Sequence, residues 1–189
     1  MKKLLIALLP FLLTALHQMA YGQQNQFLPK GINQTPSGVN NLNWVSVEQV
    51  QQLPQKGKRK VMINICADWC SWCKKMETET LSDPEIVRYL DEEFYVVKLN
   101  SEEKDDIQFQ GKTYKFVKTG PRGSNELAVE LLGGRLSVPS LIFLDEDMKI
   151  IQALPGYKTP EELMPILKYF GSNEYMRTPW SAFQKTFRN

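Results

Sequence analysis

Histidine occurs once in the 189 residues, at His17, and cysteine three times, at Cys66, Cys70 and Cys73. Three cysteines are too few to staple a small secreted scaffold, so the fold has to stand on its apolar core. Zinc held by paired cysteine knuckles needs four ligands, and the second knuckle is missing. Haem attachment needs histidine directly after the second cysteine, where Lys74 stands. No metal and no cofactor is expected. Charge of one sign is also lacking, because 23 basic residues face 21 acidic ones, which leaves no basic surface for nucleic acid. No apolar run reaches the about 20 residues that span a bilayer. There is no internal repeat, and Gly133-Gly134 lack the surroundings of a phosphate loop.

The first apolar run, Leu4 to Leu16, counts 13 residues and contains Pro10. With Lys2 and Lys3 before it and Ala20 and Gly22 behind it, residues 1–22 read as a cleavable secretory signal. The region holds no cysteine for a lipid anchor. Cleavage removes His17, which excludes a cysteine–histidine pair, a serine–histidine triad and any histidine ligand from the mature chain. It also removes two lysines, so the formal charge falls from +2 to zero. Roughly 167 residues remain, the size of one domain with a sizeable core.

Residues 23–43, rich in Gln, Asn, Gly and Pro, read as an arm or linker. Ser46 is placed to cap a short helix through about Leu53, before Pro54. The basic stretch Lys56 to Lys60 reads as a solvated loop. Val61 to Cys66 is a short β-branched apolar run, the pattern of a strand buried on both faces in the middle of a parallel sheet. A lysine-rich helix follows to about Leu81, and Ser82-Asp83-Pro84-Glu85 supplies a cap and an N1 proline for another, through about Asp91.

Phe94 to Leu99 reads as a second strand and Ser101 to Asp106 as a solvated connection. Ile107 to Val117 reads as a hairpin about Gln110-Gly111-Lys112, and Asn125 to Leu132 as a short helix ended by glycines. Leu141 to Leu144 and Ile150 to Leu154, joined by a polar turn, predict an antiparallel pair. Pro160 to Phe170 is a helix with Thr159 as its cap. In the last segment, Tyr175, Trp180, Phe183 and Phe187 have the spacing of a packing face.

Between the buried strand and the lysine-rich helix stands Trp69-Cys70-Ser71-Trp72-Cys73. Two thiols at that spacing can make and break a disulfide. Catalytic groups of open α/β folds gather at the carboxyl ends of strands. A free thiol near pKa 8.5 is mostly protonated at neutral pH, and the unpaired amides and positive dipole of a helix start favour its thiolate. Cys70 is therefore read as the attacking thiol. Cys73, one turn further in and less exposed, is read as the thiol that resolves the mixed disulfide. Trp69 and Trp72 are candidates for shielding the sulfurs and for apolar contact with a partner, although either could simply pack. Cys66 reads as a buried, inert thiol.

The pentad, together with Val138-Pro139 before a later strand, resembles the thioredoxin-like superfamily. Within Val61 to Asn100, Ala67-Asp68-Trp69-Cys70, Lys74-Lys75-Met76-Glu77 and Leu81-Ser82-Asp83-Pro84-Glu85 are similar to the C-terminal thioredoxin-like domain of the bacterial transmembrane disulfide reductase and to small exported thioredoxin-related proteins. The resemblance covers about residues 44 to 170. It implies a three-layer α/β/α sandwich with a mixed central sheet over 44–189, an insertion at about 101–136 before the cis-proline strand, and a C-terminal helical extension at about 171–189. It also implies that Val138 and Pro139 face the disulfide and meet a bound substrate through the backbone.

One position departs from the family. A buried aspartate commonly stands six residues before the first cysteine, and here that residue is Asn64, which cannot titrate. Glu77 matches an acid of the reductase domain, and Asp68 is another candidate to move the proton of the second thiol. Either acid could equally be a solvated surface group.

The expectation is a protein-disulfide reductase or isomerase, exported to the bacterial periplasm, acting as a monomer on protein disulfides and drawing electrons from a membrane donor. A strong oxidase is disfavoured, because no histidine between the cysteines stabilises the thiolate. Two other readings stay open: a binding module with a static disulfide, and a specialised reductase that serves cytochrome assembly.

Overall fold

The computed structural model describes residues 42–53, 59–118 and 122–187. Residues 1–22, read as a signal sequence, nearly all of residues 23–43, read as an arm, and most of the basic stretch lie outside the described residues. No described helix is long and apolar enough to cross a membrane.

Five strands form the central sheet. They are β1 (Trp44–Val45), β2 (Lys60–Cys66), β3 (Phe94–Asn100), β8 (Ser140–Leu144) and β9 (Ile150–Pro155), in the order β1-β3-β2-β8-β9. β2 runs parallel to β3 and antiparallel to β8, so the sheet is mixed and β2 lies at its centre. All seven residues of β2 are buried, and for Val61 to Cys66 the nearly continuous apolar run predicts it.

Alternation along β2 splits the core into two layers. Val61, Ile63 and Ile65 face one side, with α1 (Val47–Gln51) and α4 (Glu126–Leu131). Met62 faces the other, with Met76, α3 (Pro84–Glu93) and α5 (Pro160–Gly171). The result is an α/β/α sandwich. Phe143 stacks at 4.6 Å on Phe170 and meets Phe94 edge-on at 5.9 Å. Each such fully buried side chain contributes about 1.5–3 kcal/mol.

Local signals placed most elements. Ser46 and Thr159 each form a capping box, with Gln49 and Glu162 as the reciprocal partners. Asp83 caps α3 and Pro84 opens it. The segment between β3 and β8 holds two small sheets. β4 (Ile107–Phe109) pairs with β5 (Lys112–Tyr114), and β6 (Phe116–Val117) with β7 (Ser124–Asn125). Asn125 caps α4 through Leu127 N–H, and Gly133 and Gly134 end it with positive φ. At the chain end, α6 (Trp180–Phe183) lies between two 3-10 turns, and Tyr175, Trp180 and Phe183 pack against the second core layer.

Two expectations are corrected. Lys60 does not belong to a solvated loop: it opens β2 at 3% exposure and its Nζ meets Glu146 Oε1 at 2.7 Å, which supplies the partner a buried ammonium requires. Ser101 does not begin a solvated connection; it is fully buried, with its amide bonded to Cys66 O at 2.7 Å. The lysine-rich helix runs to Thr80, close to the expected end, but its winding changes along the way. It is α-helical over α2 (Ser71–Lys75) and turns π-helical over Met76–Thr80.

Candidate active site

β2 delivers Cys66 to its carboxyl end, a tight turn through Asp68 and Trp69 follows, and Cys70 becomes the N-cap of α2. Cys70 and Cys73 form a disulfide with Cα atoms 5.2 Å apart. The Cys73 amide donates to Cys70 Sγ at 3.0 Å. A helix-terminal N–H is therefore aimed at the sulfur of Cys70, an arrangement that favours negative charge on that atom. Exposure barely separates the two cysteines: Cys70 is 4% and Cys73 2% exposed, so both are buried in the disulfide form.

Val138-Pro139 is a cis peptide. Val138 packs on the cluster of Cys66, Ala67, Cys70 and Cys73, so the loop before β8 abuts the disulfide. Pro139 O accepts from Gly156 N at 2.8 Å, which ties that loop to the end of β9.

The two tryptophans stand as exposed walls beside the buried sulfurs, Trp69 at 50% and Trp72 at 56%. Trp69 Nε1 donates to Glu102 Oε1 at 2.8 Å, and the Arg122 guanidinium lies 4.2 Å from the centre of its ring. Trp72 lies 5.4 Å from Tyr157, with Lys75 Nζ near both rings. Sequence reasoning missed Glu102, Arg122, Tyr157 and Lys75, which are supplied largely by distant segments.

Beneath the helix lies a polar cluster. Asn64 is fully buried, and its Nδ2 donates to Glu77 Oε1 at 3.5 Å. Lys98 Nζ meets Glu77 Oε2 at 2.8 Å. Partial burial works against the Lys98 ammonium, but its contact with Glu77 outweighs that and holds its pKa above the ordinary value. Burial pushes the Cys66 thiol up to about 11, with Lys98 opposing and Glu77 and Asp68 adding to the rise. Glu77 thus joins Asn64 and Lys98, while Asp68 stays exposed at the turn and acts on the cluster through its charge. The sequence reading missed Lys98; a charged residue inside an otherwise apolar strand was the signal that could have found it. Among the described residues, no group of three or more His, Cys, Asp or Glu is placed to hold a metal ion.

Comparison with known proteins agrees with this geometry. The sequence profile of the thioredoxin-like domain family matches residues 47–171. A thiol:disulfide interchange protein, DsbD, of Escherichia coli strain K12 is 37% identical over 65 residues, which is 32% of this chain and 11% of that protein. The protein of the same name from Photorhabdus laumondii is 41% identical over 44 residues, 23% of this chain and 7% of that protein. The matched stretches span about a tenth or less of the length of these curated relatives. Among solved structures, a thioredoxin-fold protein from Helicobacter pylori aligns with a TM-score of 0.55 at 19% identity, covering 70% of this chain and 86% of that one. A thioredoxin from Thermus thermophilus aligns with a TM-score of 0.51 at 22% identity, covering 73% and 97%. These two likenesses concern the fold.

Proposed function

The chain belongs to the thioredoxin-like domain family, and from that premise we propose that it is an exported thiol-disulfide oxidoreductase that reduces or isomerises protein disulfides. The observation that carries this reading is the Cys70–Cys73 disulfide at the start of a helix, with the Cys73 amide aimed at Cys70 Sγ.

In the reduced protein, the Cys70 thiolate attacks one sulfur of a client disulfide. A bond forms between Cys70 and that sulfur, and the other client sulfur leaves as a thiolate. Cys73 then loses its proton and attacks Cys70 Sγ. The second client sulfur departs, two electrons have passed to the client, and the protein is left with the disulfide observed here. Glu77 is the proposed acceptor of the Cys73 proton. Lys98 and Asn64 steady its carboxylate, and Asp68 adds negative charge nearby. Trp69, Trp72 and the Val138-Pro139 backbone are the proposed client contacts.

Export rests on residues 1–22 and on the DsbD resemblance, with the bacterial periplasm as the compartment and a membrane protein as the electron donor. Insulin reduction by the mature protein, with Cys70→Ser as the control, tests the reading: activity abolished by that substitution supports it, and a well-folded but inactive protein contradicts it.

Asn64 in place of an acid favours a second reading, a binding module with a static disulfide. Client capture by Cys73→Ser separates the two. Covalent adducts through Cys70 support the oxidoreductase, and the identity of the captured clients tells a general reductase from one serving cytochrome assembly.

A further inference from the structure

Trp69 is held from two sides by residues of the 101–136 segment, and the space beside it is a cleft. Trp69, Glu102, Arg122, Val129, Gly134 and Leu136 border about 610 Å³. Two of its walls lead to the disulfide. Trp69 directly precedes Cys70, and Leu136 stands two residues before Val138, which packs on Cys70 and Cys73. A polypeptide whose sulfur reaches Cys70 has this cleft at its flank.

The cleft is uneven in chemistry. Leu136 is an exposed apolar side chain at its border, with Val129 beside it. Glu102, the carboxylate of its lining, already accepts a hydrogen bond from Trp69, and Glu126 and Glu130, which line the neighbouring hollow, accept from Lys115 N at 2.9 Å and Tyr114 Oη at 2.7 Å. Arg122 differs. Its guanidinium is stacked on the indole, and among the described residues it makes no hydrogen bond or ion pair. Stacking engages the flat face of a guanidinium and leaves its in-plane N–H groups for an acceptor, which a carboxylate satisfies with two parallel bonds.

We propose that this cleft is a client subsite that takes an acidic side chain flanking the client's reducible cysteine. Arg122 is the carboxylate partner, and Val129 and Leu136 receive an adjacent apolar side chain. The placement of the client cysteine rests on the oxidoreductase reading; the charge preference of the cleft does not.

The test uses the oxidised protein and fluorescein-labelled peptides of about ten residues, with serine in place of cysteine so that no disulfide forms. The flanks carry either Asp or Lys, each beside a leucine. Fluorescence anisotropy at moderate salt should show the Asp peptide bound at least about fivefold more tightly than the Lys peptide, and Arg122→Glu should reverse that order. Arg122 is exposed, and an unchanged melting temperature confirms that the variant folds. Equal binding of the two peptides, the same preference in Arg122→Glu, or no binding of either up to about 1 mM overturns the proposal. Insulin reduction by the wild-type protein is measured separately, so a failure of the redox reading leaves the peptide preference legible.

Discussion

Asn64 Nδ2 donates to Glu77 Oε1 at 3.5 Å beneath the helix that carries Cys73. The opposite end of the same amide, Oδ1, is buried with no hydrogen-bond partner among the described residues. The amide is thus oriented with its donor toward the carboxylate, as charge complementarity requires; reversed, it would set oxygen against oxygen. Because Asn64 cannot titrate, Glu77 is the proposed proton acceptor at this place. Lys98 Nζ lies 2.8 Å from its other oxygen.

If Glu77 accepts the Cys73 proton, Glu77→Gln should slow insulin reduction by on the order of a hundredfold, the lower end of the usual range for a lost general base. Part of that loss should return as pH rises and Cys73 ionises unaided. Asn64→Asp in the Glu77→Gln background should restore activity by returning a carboxylate to the same spot. A pH–rate profile unmoved by Glu77→Gln removes Glu77 from the mechanism.

Cys66 should behave as a buried thiol with a raised pKa. In the folded protein its thiol is held at about 11 against an ordinary 9.0. The folded state therefore binds the proton more tightly, so the stabilisation is complete below pH 9 and is lost as pH rises through 11. Oxidised wild-type protein should lose roughly 2–3 kcal/mol across that window beyond what Cys66→Ala loses. Denaturant titrations at several pH values measure the difference, and identical slopes contradict it. Native Cys66 should also resist iodoacetamide at pH 8, where only about one thiol in a thousand is ionised at such a pKa.

Much of the fold was legible because its determinants are local. The β-branched run of β2, the Ser46 and Thr159 caps, the Asp83-Pro84 start and the glycines after α4 each act within a few residues. The cysteine pair at the end of a buried strand was legible for the same reason. The exceptions depend on partners far along the chain. Lys60 looked solvated because the acid that pairs with it, Glu146, is 86 residues away. Ser101 looked like a loop residue, yet its amide returns to the end of β2. Trp69 gave no hint that Glu102 and Arg122 would hold it, and the greater exposure expected of Cys70 is reduced to 4% against 2% for Cys73.

The Lys60–Glu146 pair supplies a stability test. Burial raises the Glu146 pKa, but the bond from Lys60 outweighs it, so the group sits below its ordinary 4.5. Its contribution is therefore present above pH 4.5 and is lost as pH falls through the depressed value. Glu146→Gln should lower stability at neutral pH by about 1–2 kcal/mol, less than for a fully buried pair because Glu146 is partly solvated. The acid limb of the stability curve should flatten as well, and chemical denaturation at pH 3 to 7 checks both. An unchanged stability at pH 7 would show that Lys60 is satisfied without Glu146.

The aromatic tail should be structural. Trp180 meets Tyr169 edge-on at 5.1 Å, and Phe183 lies 5.0 Å from the same ring. Trp180→Ala should lower the melting temperature, with a loss of about 1–3 kcal/mol given its partial burial. Insulin reduction below the new melting temperature should stay at the wild-type rate. A variant of full stability but altered activity would point instead to a functional tail.

The reduction potential of Cys70–Cys73, obtained by equilibration against glutathione buffers with Cys66 substituted by Ala, tests the central claim most directly. A reversible reductase or isomerase without a charged residue between its cysteines should equilibrate at about −180 to −270 mV, the span from disulfide isomerase to thioredoxin. A value near −120 mV would mark a strong oxidant, and a disulfide still closed below about −300 mV would mark a static crosslink; either result contradicts the account.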